Sequence, residues 1–254
     1  MKRKIITTSD GSKTIQIEDW NEQYHSIHGA IQEANHVFIK HGLLFYCQCC
    51  HPELLPVRQT GDSESHDSCH SERSEESQPI NILEIGFGTG LNAFLTFLRA
   101  KELQQPINYV GVEAYPVRTE EIQQLNYVEL ISEKHKDEFE NMHHSSWEAK
   151  HNISPIFTLE KQEKFFKDIT DENAFDIIYF DAFGARVQPE LWTEDIFLIM
   201  YKALKDHGVL VTYSAKGSVR RAMQAVGFTV ERLPGPPGKR EMLRATKHSA
   251  NAES

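Results

Sequence analysis

The stretch INILEIGFGTGLNAFLTFLRAKEL, residues 80–103, constrains the fold more than any other part of the chain. INILEIG is a short apolar run closed by a glycine, the pattern of a buried strand, and LNAFLTFLRAKEL repeats its apolar residues at helical spacing. Between them Gly86, Gly88 and Gly90 alternate with Phe87 and Thr89. Glycine lets a backbone turn sharply and come close to a ligand, so a strand that runs through such a loop into a helix reads as the opening of a doubly wound sheet. The spacing is G-x-G-x-G, with Glu84 two residues ahead of the first glycine, and differs from the G-x-G-x-x-G loop of dinucleotide-binding proteins. Glycines that serve only helix and strand packing remain the alternative at this point.

The alternation continues to the end of the chain. NYVGVEA reads as a second strand, residues 116–144 as a polar helical stretch, ISPIFTLEK as a third strand and AFDIIYFDAF as the fourth and most apolar. Thr193 can cap a helix through Ile196, Phe197, Met200, Ala203 and Leu204 that stops at Gly208, and VLVTYS is the fifth strand. SVRRAMQAVG is a helix, and FTVERLPG and KREMLRAT form a hairpin across the turn PGPPG. Strands alternating with helices call for a mostly parallel sheet covered on both faces. The expected class is α/β.

Ahead of this region, IITTSDGSKTIQI holds two β-rich runs around Asp10 and Gly11, a hairpin signal. Ser26 can cap a helix with Ile27, Ala30, Ile31, Ala34, Val37 and Phe38 on one face, ending at Gly42. Residues 1–46 are therefore expected to form a hairpin and helix appendage. Between Arg58 and Pro79 there is no large apolar residue and no alanine, while six serines recur among acids, so 47–79 is expected to be a disordered insertion. It resembles short repeat elements that become translated when they land inside bacterial genes. The main domain is expected over 80–247 and a flexible tail over 248–254.

Three of the four cysteines, Cys47, Cys49 and Cys50, crowd against His51, with His66, Cys69 and His70 downstream. Contiguous ligands lack the paired spacing of a zinc site, and this cysteine usage is no disulfide framework, so no metal is expected. No apolar run reaches 18 residues and MKRKIITTSDGS lacks the apolar stretch of a secretory signal, so a cytoplasmic chain without membrane contact is expected. A net charge of −10 argues against generic nucleic-acid binding. Yet residues 201–247 carry ten basic residues against three acidic ones, a net +7. That basic end can grip a polyanion locally, or it can be ordinary solvated charge on two helices and a hairpin.

Glu113 closes the second strand, where an acid in doubly wound folds accepts hydrogen bonds from ribose hydroxyls. Asp181 follows the apolar run IIYF at the carboxyl end of the fourth strand, beside the first, and needs a partner there. An amine nucleophile is one such partner; capping of the following loop is the alternative. The tail separates the cofactor classes: five alternating units followed by an antiparallel hairpin resemble the seven-stranded, Rossmann-like sheet of class I methyltransferases, whose last strand is antiparallel. S-adenosylmethionine is the cofactor this implies, and Glu84 and Asn92 flank the loop as further cofactor candidates.

The residues HGAIQEANHVFI, LEIGFGTGLNAF, FDAFGARVQPELWT, VTYSAKGSVRRAMQAVGF and GPPGKREML together resemble the methyltransferase half of the MnmC family of tRNA-modifying proteins and its stand-alone relatives. The resemblance covers most of the chain outside 47–79. It implies methyl transfer to the aminomethyl nitrogen of a modified wobble uridine in tRNA, converting 5-aminomethyl-2-thiouridine to 5-methylaminomethyl-2-thiouridine. It also implies Gly86, Gly88 and Gly90 at the cofactor, Glu113 at its ribose, and Asp181 with Phe183 at the methyl-transfer site. Tyr24 is expected either to close over the cofactor or to sit in the core, and Trp192 to be core rather than a base-stacking platform. The adenine edge is assigned to Glu160 or a neighbour, and Arg220, Arg221, Lys239 and Arg240 to the tRNA backbone. With no flavin (FAD) oxidase domain expected in a chain ending at Ser254, a separate enzyme is expected to supply the aminomethyl substrate. A small-molecule amine methyltransferase or aminopropyltransferase on the same fold, which has no use for the basic end, is the rival, and a degenerate RNA- or protein-binding fold is a second.

Overall fold

The computed structural model describes residues 2–50 and 78–249. His51, His66, Cys69 and His70, nearly all of the expected serine-rich insertion and the last residues of the expected tail lie outside the described residues. At the N-terminus, β1 (Arg3–Thr7), β2 (Lys13–Ile17) and β3 (Glu22–Gln23) form a small antiparallel sheet. Its turn is the one expected at Asp10 and Gly11: Gly11 has φ +82°, and Asp10 Oδ1 accepts from the Ser12 amide at 3.1 Å and the Thr8 hydroxyl at 2.7 Å.

The following helix departs from expectation at both ends. It starts after Gly29 rather than Ser26, as α1 (Ala30–Ala34), because Glu33 reaches back to the Ser26 amide at 3.2 Å. It then runs through Gly42 in wider π-type turns (Asn35–Leu44) into α2 (Phe45–Cys50). Gly42 serves close packing instead of termination: a Cβ there would lie 3.0 Å from the Tyr179 ring and 3.1 Å from the Val211 side chain. Cys47 is buried in the same core, so the boundary expected at 46 does not separate an appendage from the domain.

The main sheet holds eight strands where seven were expected: β4 (Ile80–Ile85), β5 (Ile107–Glu113), β6 (Lys150–Ser154), β7 (Phe157–Glu163), β8 (Phe175–Phe180), β9 (Leu204–Thr212), β10 (Thr229–Pro234) and β11 (Glu241–Thr246). Their order is β10-β11-β9-β8-β4-β5-β7-β6. The extra strand arises where a single third strand was expected. Pro155 cannot donate to a ladder, and the chain reverses there so that β6 pairs antiparallel with β7. The pairs β4/β5, β4/β8, β5/β7 and β8/β9 are parallel, and β11 runs antiparallel to both neighbours, as the hairpin at the end of the sequence predicts.

The other α-helices among the described residues are α3 (Leu91–Leu103), α4 (Thr119–Ile122), α5 (Tyr127–Ile131), α6 (Lys136–His144), α7 (Glu194–Ala203) and α8 (Gly217–Ala225). Alternate residues of β4 and β8 enter two cores. Ile82, Ile177 and Tyr179 pack with Phe38, Leu43, Phe94 and Phe97, whereas Leu83, Ile85, Ile178 and Phe180 pack with Phe197, Met200, Val219 and Met223. Each such side chain contributes about 1.5–3 kcal/mol by leaving water. Helix α7 ends at Ala203 and not at Gly208, because the carbonyls of Lys202 and Ala203 accept the Asn173 and Ala174 amides at 2.8 and 2.9 Å and draw the chain into β9. Among the described residues no helix is long and apolar enough to cross a membrane.

Candidate active site

The sheet order reverses between β4 and β8, and the register there brings three chain exits together. Ile85 pairs with Val112 on one side and with Phe180 on the other, so Gly86, Glu113 and Asp181 leave adjacent strands side by side. The Gly86 and Phe87 amides donate to Val112 O at 2.9 and 3.1 Å, and the Asp181 amide donates to Ile85 O at 2.9 Å. Gly86 has φ +89° and a Cβ on it would lie 2.8 Å from Asp181 O; Gly88 has φ +49° and a Cβ would lie 3.0 Å from the Tyr24 ring. Both positions need glycine for conformation and for space.

In front of these exits opens a cavity of about 770 Å³. It is lined by Gly86, Phe87, Gly88 and Glu113 of the glycine loop and β5, by Tyr115, Phe165, Phe166 and Lys167, by Asp181, Phe183, Tyr213, Glu33 and Lys239, and by Trp20, Tyr24 and His25 of the N-terminal segment. A concave site of this size with a few convergent polar groups suits a small organic ligand. Glu113 accepts from the Gly88 amide at 3.1 Å and the Tyr115 amide at 3.0 Å, and burial holds its carboxyl above the ordinary value against those two bonds. Glu113 also lines the cavity. The glycine cradle and this acid fit S-adenosylmethionine.

Three residues expected at the cofactor do not line the cavity. Glu84 and Asn92 are 1% and 2% exposed behind the loop, and Gly90 faces away, its missing Cβ position 3.0 Å from the His143 ring. The alternation along β4 explains Glu84: with Leu83 and Ile85 on one face, residue 84 points into the opposite core. Asn92 instead joins Glu84 to Asp181. The Asn92 amide nitrogen donates to Glu84 Oε1 at 2.8 Å and to Asp181 Oδ2 at 2.9 Å, and Tyr109 donates its hydroxyl to Glu84 Oε2 at 2.9 Å. Burial raises the Glu84 carboxyl well above its usual range, against the hydrogen bond from Asn92, and the charge of Asp181 adds to the rise.

Asp181 is half-buried, and desolvation pushes its carboxyl up to about 7; the negative charge of Glu33 adds to this, while the Asn92 hydrogen bond and the positive charge of Lys239 oppose it. Phe183, two residues on, packs edge to face against Tyr24 at 4.9 Å and Trp20 at 5.7 Å. Tyr24, beside Gly88 and Phe183, is half-buried and lines the cavity. Trp192 is core, as expected, 5% exposed, and its indole N–H donates to Phe183 O at 2.8 Å, which fixes the loop that carries the site.

The remaining expectations divide. Glu160 sits in mid-strand, accepts from Gln162 at 2.6 Å and does not reach the cavity; the residues after β7 that do are Phe165, Phe166 and Lys167. Lys239 is no open surface cation: it lines the cavity and forms an ion pair with Glu33. Arg221 and Arg240 are exposed and Arg220 is half-buried, Arg240 adjoining Lys239 on the turn at the cavity. Glu33 and His25 were missed. A signal for Glu33 exists: between Ala30 and Val37 it falls on the apolar face of its helix, where an acid needs a reason. His25 is buried, bonds Thr89 at 2.8 Å, and is pushed down to about 4 by desolvation. Among the described residues no three groups are arranged to hold a metal ion.

Residues 132–248 match the family described as S-adenosyl-L-methionine-dependent methyltransferase. Over 238 residues the chain is 24% identical to the tRNA 5-methylaminomethyl-2-thiouridine biosynthesis bifunctional protein MnmC of Burkholderia multivorans, covering 88% of this chain and 32% of that protein. Over 180 residues it is 30% identical to the protein of the same name from Campylobacter fetus subsp. fetus, covering 67% of this chain and 29% of that protein. The chain thus spans about a third of the length of these relatives. The crystal structure of MnmC2 from Aquifex aeolicus superposes with a TM-score of 0.72 at 23% identity, over 98% of this chain and 71% of that one. With a Rossmann-like sheet whose order and antiparallel β11 match the class I arrangement, the chain is a relative of the MnmC proteins that carries an S-adenosyl-L-methionine-dependent methyltransferase domain.

Proposed function

We propose that this chain transfers a methyl group from S-adenosylmethionine to the aminomethyl nitrogen of a modified wobble uridine in tRNA, converting 5-aminomethyl-2-thiouridine to 5-methylaminomethyl-2-thiouridine. The observation that carries the reading is Asp181: a carboxylate at the carboxyl end of β8, beside the glycine loop, in one cavity with Phe183 and Glu113. S-adenosylmethionine, when bound, supplies a methyl group on a cationic sulfur. An amine with the pKa of a lysine, about 10.4, must give up its proton before it can attack, which costs about 4.6 kcal/mol at pH 7. Asp181 orients the nitrogen through a hydrogen bond and takes the proton that the nitrogen sheds as the N–C bond forms and the C–S bond breaks. A carboxyl that exchanges its proton near 7 is suited to that step. Phe183, Tyr24 and Trp20 wall the reacting atoms from water.

The tRNA backbone is held by Arg220, Arg221 and Arg240, and the aminomethyl group is supplied by a separate enzyme. Glu113 takes the ribose hydroxyls, and Phe165 and Phe166 provide the apolar end for the adenine. Incubation of the pure chain with labelled S-adenosylmethionine and tRNA from cells lacking this activity tests the reading. Label in the wobble uridine is expected; label only in small amines, or none, refutes it. Replacing Arg220 and Arg221 by Gln should weaken tRNA binding and lower the slope of log affinity against log salt by about 2, one for each lost phosphate contact.

A further inference from the structure

The cavity that Asp181 lines also holds a second acid and a cation that the methyl-transfer reading does not use. Glu33 comes from α1, Lys239 from the turn between β10 and β11, and they are 206 residues apart in sequence. The Lys239 ammonium is paired with Glu33 and stands 3.8 Å from the centroid of the Tyr213 ring. The Tyr213 hydroxyl in turn donates to Ala182 O at 2.8 Å, in the residue next to Asp181. Glu33 is itself fixed, its side chain only 7% exposed and accepting from the Ser26 amide at 3.2 Å. An ion pair buried this far costs desolvation that a structural role alone repays poorly, since apolar residues of the same size serve packing as well.

We propose that Glu33 and Lys239 are a positioning pair that sets the protonation of Asp181, with Lys239 keeping the incoming amine neutral. The inference rests on the reading of Asp181 as the group that receives the amine. The charge count gives the reason. Glu33 and Asp181 carry two negative charges, and Lys239 and the cationic sulfur of the cofactor carry two positive ones. A neutral amine completes a balanced site, whereas an ammonium adds an uncompensated charge in a poorly solvated space. Without Lys239 the two carboxylates would favour the protonated, unreactive amine. Burial shifts the neighbouring titratable groups toward their neutral forms: it raises the Glu84 carboxyl well above its ordinary range, raises Glu113 and the hydroxyls of Tyr109, Tyr127 and Tyr213, and pushes His25 down to about 4.

The test reads Asp181 directly in the free protein. Chain labelled with carboxyl-¹³C aspartate is titrated by NMR, and the Asp181 resonance is assigned by its loss in Asp181→Asn. Lys239→Met leaves Glu33 uncompensated and should move the Asp181 midpoint up by on the order of one pH unit; Glu33→Gln leaves Lys239 uncompensated and should move it down by a similar amount. The double variant should return it near the wild-type position, and Lys239→Arg should leave it there. Midpoints that stay put in both single variants, or move the same way in both, overturn the proposal. Because the readout needs no tRNA, opposite shifts in a chain that methylates no tRNA would discard the proposed function and keep the pair. Methylation with unmoved midpoints would do the reverse.

Discussion

A group that makes a site work can weaken the fold that holds it, and Asp181→Asn measures the size of that conflict. In the folded chain the Asp181 carboxyl is pushed from an ordinary 3.8 up to about 7, chiefly by desolvation. Between those values the folded state holds a proton that the unfolded state has lost, so stability falls as pH rises from about 4 to about 7 and is lowest above 7. A rise of about 3 units at 1.36 kcal/mol each puts the ceiling of the penalty at about 4 kcal/mol. The carboxyl is only half-buried and opens on the cavity, so water relieves part of it and about 2 kcal/mol is expected. Asparagine has the same shape, can still accept from Asn92 and carries no charge. Asp181→Asn should therefore be more stable than wild type by about 2 kcal/mol at pH 8 and equal to it near pH 4, while losing methyl transfer and keeping cofactor binding. Urea unfolding of both proteins across that range measures the difference. A difference that does not vary with pH would refute the account of Asp181 as a proton-exchanging acid. So would a variant that turns over at the wild-type rate.

Asn92→Ala removes both bonds of the amide that joins Glu84 to Asp181 and should cost about 2–3 kcal/mol in urea unfolding, since a buried acceptor on Glu84 and a part-buried one on Asp181 lose their donor. It should also move the acid limb of the methylation rate to higher pH, because the Asn92 bond lowers the Asp181 value. Trp192→Phe keeps most of the core volume but deletes the N–H that fixes Phe183 O, and should reduce turnover several-fold with a stability loss of about 1–2 kcal/mol. Deletion of 47–78 should destabilise the chain, because Cys47 is fully buried and Gln78 O accepts from the buried Gln105 side chain at 2.8 Å. Thermal unfolding of that deletion next to a deletion of 52–76, which leaves both contacts, separates the two ends of the segment from its middle.

The order of strands and helices from Ile80 onward was legible because apolar runs and glycine punctuation are local signals, and the antiparallel ending was legible in the Pro/Gly-rich turn between two strands. What local signals could not carry is which partner a residue meets. Gly42 has the look of a helix stop, yet it is glycine because Tyr179 and Val211 press against the helix there. Pro155 lay inside an apolar run, and the reversal it forces was masked by the β-rich residues on both sides. Glu84 stood in the right motif but on the wrong face of β4: period-2 alternation placed it opposite Leu83 and Ile85, and that argument was available from the sequence. Glu33 and Lys239 are the opposite case. Nothing short of the packing of α1 beside the last hairpin brings residues 206 apart into one ion pair.

That packing also changes the meaning of the N-terminal segment. The N-terminal segment supplies Tyr24 beside the glycine loop, His25 against Thr89 and Glu33 against Lys239, so polar groups of the cavity come also from residues that precede the βα repeat. A βα repeat alone presents the glycine loop and the strand ends to solvent, where a charged amine and a carboxylate would each keep their water and attract weakly. In the folded chain Tyr24, His25 and Glu33 line the same cavity as Asp181, burial raises the Asp181 carboxyl, and the charges of Glu33 and Lys239 act on it in opposite senses. Under the proposed function, the same desolvation that costs stability at Asp181 suits that carboxylate to hold, orient and deprotonate an amine near neutral pH. On that reading the N-terminal segment takes part in the chemistry, and its removal should be felt at Asp181 before it is felt at the sheet.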